Sequence, residues 1–148
     1  MNPVLTWLIR YGHVLGGATW VGGYALLALV VAPLLQRGAS EPIIRLAISA
    51  VRLLTYAGTL TIGFGLVLIT RTRGYGNLFR GEWGMLIVLS FLVAVVLLGI
   101  GDGALRPAIR RLASGGDGRA VRRWALVGLG LTVLALAMMP RALYASGG

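Results

Sequence analysis

The chain has 148 residues, of which 57% are hydrophobic and 12% charged, about half the ~25% charge of ordinary soluble domains. So few charges cannot cover a water-facing surface, which excludes a soluble fold and leaves the covering to lipid. The absence of cysteine removes disulfides, thiolate metal sites and redox thiol pairs.

The net charge of +10 is carried by arginine alone, without a lysine. Those arginines cluster in short segments between apolar runs, where topology and anionic headgroups account for them. No basic face or aromatic platform outside the membrane is available for nucleic acid, which is therefore not an expected partner. Membrane lipid is.

In chain order, four uncharged stretches stand out, at 11–35, 53–70, 83–101 and 124–140. Each approaches or exceeds the roughly 20 residues, at ~1.5 Å rise, that cross a ~30 Å hydrocarbon core. None shows period-two alternation, so helices are expected and a barrel is not. The predicted fold is all-α: one domain, 1–148, forming an integral membrane four-helix bundle with spans near 5–35, 46–70, 83–101 and 124–143.

The first stretch is too long for a secretory h-region, and no basic residue precedes Arg10, so the first helix is expected to be retained. The connectors are read as 36–42, 71–82 and 102–123. The first and third share a side and carry Arg37, Arg45, Arg106, Arg110, Arg111, Arg119, Arg122 and Arg123. The other side has Arg10, Arg71, Arg73, Arg80 and Arg141. The positive-inside rule then places both termini outside the cell (inner) membrane. Trp7, Trp83 and Trp124 fall near helix ends and read as interfacial belt residues; Trp20 falls near mid-helix.

His13 is the single histidine, about two turns inside the first helix. Helical spacing puts Arg10, Gly16, Gly17, Trp20 and Gly23 or Tyr24 on its face. Gly12 and Gly16 form a small-xxx-small pair, so either another helix or a flat ligand can approach the backbone there. An ionisable residue inside a membrane is a functional candidate. The plainer alternative is a histidine hydrogen-bonded between helices, with the glycines serving packing.

The run from His13 through Gly16 and Gly17 to Trp20, Gly22 and Gly23, followed by Pro33, resembles the first helix of CopD-like membrane proteins. That group takes in copper-resistance protein D domains and is related more distantly to HemJ-type oxidases. The opening of the third helix, Trp83-Gly84-Met85-Leu86, resembles the aromatic-Gly-x-Leu start of the corresponding helix. Such families often carry a lysine several residues further on. Here Leu89 or Ser90 stands nearest, which takes protoporphyrinogen oxidation out of the expectation.

The resemblance implies a metal or haem site at His13. For b-type haem, one neutral imidazole ligates iron alone or with an axial methionine or second histidine. Gly16 and Gly17 would clear space for the macrocycle, Trp20 would pack on it, and Arg10 would pair with a propionate. Met138 and Met139 reach a similar depth on the fourth helix and are the candidate second ligands. A homodimer supplying His13 twice and a five-coordinate iron are the alternatives. The expected role is electron relay rather than stand-alone catalysis, possible also as a subunit of a larger membrane complex. A copper-handling protein would use His13, Met138 and Met139 differently, although no Met-x-x-Met ladder is present and Cu(I) favours soft ligands. A non-catalytic accessory subunit is the third class.

The remaining candidates read more plainly. Arg52, Tyr56, Thr59 and Gly63 form a mildly polar stripe with the arginine snorkelling. Asp102 reads as a solvated turn, and Glu41 and Glu82 as helix-start carboxylates. Gly99, Gly101 and Gly103 lack a strand-to-helix context and are no dinucleotide fingerprint.

Overall fold

The computed structural model describes residues 2–145. Four long helices fill nearly all of it: α1 Pro3–Arg37, α2 Glu41–Arg71, α3 Gly81–Leu112 and α4 Arg119–Ala145. They run up-down-up-down, with α1 packed on α2 and α4, and α3 packed on α4 and α2. Each is long and apolar enough to cross a membrane. One end of the bundle carries the termini and the α2–α3 connector; the other, arginine-rich end carries the α1–α2 and α3–α4 connectors.

Local chemistry sets the ends. Asn2 caps α1, its side-chain oxygen accepting from Val4 N at 3.0 Å with Pro3 in the first turn, where a missing N–H costs nothing. Asp117 does the same for α4, accepting from Arg119 N at 2.9 Å. α2 ends where Gly74, at φ +73, lets its N–H turn back onto Ile69 O at 2.9 Å.

α3 is longer than the expected span. It has 32 residues, ~48 Å at 1.5 Å rise, and continues through 102–112 instead of ending at Gly101. The third connector therefore shrinks to 113–118. The residues that read as a turn are a π-turn, Ile100–Leu105, just before Pro107. A second π-turn, Leu27–Val31, lies just before Pro33 in α1. Proline lacks the N–H that would bond four residues back, and a widened turn re-routes the backbone bonds around that gap. Ala32 N–H accordingly reaches Leu27 O, five residues back.

The main core gathers Trp20, Tyr24, Leu27, Val51, Leu54, Leu97, Leu105, Ile109, Val121 and Ala125 between the four helices. A smaller cluster of Ile69, Trp83 and Ala142 closes the α2–α3–α4 contact at the end that carries the termini. Trp83 is thus buried, with Arg73 over its ring at 5.8 Å, and is not the interfacial belt residue its position suggested. Outside the core, leucines face outward along every helix, Leu29 at 64% and Leu46 at 61% exposure among them. Water would oppose such a surface; hydrocarbon matches it.

Candidate functional site

His13 lies on α1 against α2. Its Nδ1 is 2.8 Å from Thr61 O, and since a carbonyl only accepts, the imidazole donates there. That bond selects the tautomer and leaves Nε2 as the nitrogen with a free lone pair in the neutral ring. Two features of α2 make room for it. Gly65 stands where any Cβ would come within 3.1 Å of His13 Cε1 and 3.3 Å of Nδ1. The Thr61 hydroxyl turns back to Ala57 O at 2.7 Å, leaving its own carbonyl face to the imidazole. His13 is half-buried.

The glycine face read beside His13 is largely taken by a helix. A Cβ on Gly12 would sit 2.7 Å from the Phe64 ring, and one on Gly16 would collide with the Thr61 hydroxyl. Trp20 is buried, with its ring against Gly58, whose Cβ would meet Trp20 Cζ2 at 2.7 Å. Gly16 and Trp20 therefore belong to the α1–α2 contact, where small residues let backbones approach closely. They do not line an open slot. Gly17 stays open, meeting only Thr61 Cγ2 at 3.9 Å. Arg10 is exposed, in a shallow groove with Pro3, Thr6 and Trp7. Up to Thr19, no described residue of α1 is buried.

Met138 and Met139 lie near the depth of His13. Tyr24 packs on Gly128, and His13 and Met138 lie about 15 Å from that level in the same direction. Their partners differ, however. Met138 is buried and its sulfur accepts from Ser90 Oγ of α3 at 3.9 Å, while the imidazole turns to α2. Met139 is half-buried. Among the described residues, no group of three His, Cys, Asp or Glu is placed to hold a metal.

A second polar cluster escaped the sequence reading. Asp102 is helical, within the π-turn of α3, and pairs with Arg106 at 2.7 Å. Its other oxygen accepts from Thr55 Oγ1 of α2 at 3.4 Å. One turn earlier, the buried Tyr24 hydroxyl donates to Leu97 O at 2.9 Å, occupying a carbonyl beside the re-routed backbone. The i, i+4 spacing of Asp102 and Arg106 was a signal for this pair, and Pro107 was the signal that the glycines before it belong to a helix.

As a ligand set, the His13 region offers one oriented imidazole, an open glycine one turn away and an exposed arginine one turn towards the terminus. The region thus presents one nitrogen donor and one cation. A bare copper ion needs several soft donors converging, and Met138 is engaged elsewhere. No family model, curated protein or solved structure matches the chain.

Proposed function

We propose that this chain is a small CopD-like membrane protein that holds b-type haem through His13 and relays electrons, by itself or as a subunit of a larger membrane complex. The observation that carries the reading is the 2.8 Å bond from His13 Nδ1 to Thr61 O. Metal-ligating histidines characteristically donate their second nitrogen to a carbonyl or carboxylate, which fixes the ring and raises its basicity. Bound haem would supply a one-electron couple, its potential set by ligand, burial and surrounding hydrogen bonds. The protein's part is to orient Nε2, keep a low-dielectric wall behind the imidazole and leave Gly17 unobstructed. Arg10 would neutralise a propionate. Gly16 and Trp20 act at one remove, by holding α1 against α2 so that Thr61 O meets the ring. Arginine placement supports a topology with both termini outside the cell membrane.

The test is an absorption spectrum of detergent-purified protein, oxidised and then dithionite-reduced, with a pyridine haemochrome assay. A Soret band with reduced b-type bands, lost in an inserted His13→Ala variant, is the expected result. Colourless protein made with ample haem, or haem retained without His13, overturns the assignment.

A non-catalytic accessory subunit is the second reading. It is favoured by the outer half of α1, where Trp7, Leu8, Tyr11, Val14 and Leu15 are all exposed. It predicts a colourless chain that co-purifies with a membrane partner.

A further inference from the structure

We propose that the face of α2 and α3 bearing Arg52 and Asp102 is the interface of a homodimer, in which Arg52 of each protomer pairs with the partner's Asp102. The inference is independent of haem binding.

The face is polar where a lipid-facing surface should be apolar. Asp102 leaves 43% of its side chain exposed despite its bonds to Arg106 and Thr55. Arg52, Tyr56 and Thr59 are exposed on the same side of α2, and Arg52 has no ion-pair or hydrogen-bond partner among the described residues. Carboxylates and guanidiniums at hydrocarbon depth are costly and are found facing protein or water.

Depth decides between occupants. A twofold axis in a membrane stands along its normal, so it preserves depth, and self-pairing requires the two charges to lie at one level. Gly58 and Leu98 share a level, since a Cβ on Gly58 would be 3.0 Å from Leu98 Cδ2. From there Arg52 is six residues and Asp102 four residues towards the arginine-rich end, or ~9 Å and ~6 Å at helical rise. The mismatch of ~3 Å is within the reach of an arginine side chain. One face thus carries both signs at one depth, which is the condition for a second copy rather than for a partner of uniform charge. Steric access is provided as well: a Cβ on Gly63, Gly99 or Gly103 would meet nothing within 4 Å, so a neighbouring helix can come close. Because α1 packs on α2 and α4, this dimer keeps the His13 residues on separate flanks, so the two chains would not share one iron.

The natural absence of cysteine makes the test direct. Single variants Thr59→Cys, Gly99→Cys and Gly103→Cys in the full chain are oxidised in native membranes, with Leu29→Cys on α1 and Leu134→Cys on α4 as controls. A disulfide-linked dimer from at least one of the first three, and from neither control, is expected. In bilayers of fixed protein-to-lipid ratio, Arg52→Glu should weaken dimerisation about tenfold, and adding Asp102→Arg should restore it. That rescue distinguishes a charge pair across the interface from a residue needed only for folding. Monomeric wild-type protein, crosslinking through the controls alone, crosslinks to a different protein, or dimerisation indifferent to Arg52→Glu each overturns the proposal.

Discussion

Gly128→Ala adds one methyl group at the contact between α4 and Tyr24, and its cost can be worked from the structure. The new Cβ would collide with three atoms of the Tyr24 ring, and that side chain is fully buried. Overpacking of this kind costs about 1–3 kcal/mol. Moving the ring also draws the hydroxyl off Leu97 O, worth about 1 kcal/mol. Against this, alanine gains up to about 1 kcal/mol of helix propensity over glycine. Gly130→Ala, on the same helix with nothing within 4 Å of its Cβ, receives that gain and none of the penalty. The propensity term cancels in the difference, so Gly128→Ala should be less stable than Gly130→Ala by about 2–4 kcal/mol, the sum of the overpacking and hydrogen-bond terms. Unfolding of detergent-solubilised protein by SDS titration, followed by tryptophan fluorescence and circular dichroism, measures both. If the two variants agree within about 0.5 kcal/mol, a difference typical of neutral surface changes, the close α1–α4 contact does not exist as described.

Other expectations follow from the same packing. Tyr24→Phe removes only the hydroxyl and its bond to Leu97 O, which keeps the Ile100 N–H, and should cost about 1 kcal/mol in the same titration; a variant as stable as wild type would mean that the hydroxyl bond adds nothing to the α1–α3 contact. Gly65→Ala brings a methyl group within 3.1 Å of His13 Cε1. It should shift the imidazole resonances in an NMR spectrum and, in haem-loaded protein, the Soret position, while leaving insertion intact; unchanged resonances would place His13 elsewhere. Gly58→Ala pushes on the Trp20 ring and should alter tryptophan emission more than Gly22→Ala, where the added methyl meets open space.

Much of this architecture is readable from the chain because the bilayer imposes it. An apolar run of ~20 residues must satisfy its backbone internally, so composition alone dictates four helices and their alternating direction. The composition of the His13 face is legible too, since spacing puts Gly12, Gly16 and Trp20 on one side of α1. What fills that face was not legible: a glycine stripe admits a helix or a flat ligand equally, and only the docking of α2 gives it to Thr61, Phe64 and Gly58. The tie from His13 to Thr61 O agrees with the plainer alternative of a histidine hydrogen-bonded between helices; only the identity of its partner, a backbone atom 48 positions away, is something side-chain motifs cannot encode.

Asp102 marks the other boundary. Read locally, aspartate among glycines is a turn, because those residues favour turns in water. Inside a bilayer an unpaired turn would strand its peptide groups, so the chain keeps its helix, widens it ahead of Pro107 and sets Asp102 against Arg106 and Thr55. Hydropathy and the 3.6-residue period thus determined how many helices there are and which faces are candidates, but not how far α3 runs. The pairing of those faces depends on close contacts between residues far apart in the chain, and only the tertiary structure decided it.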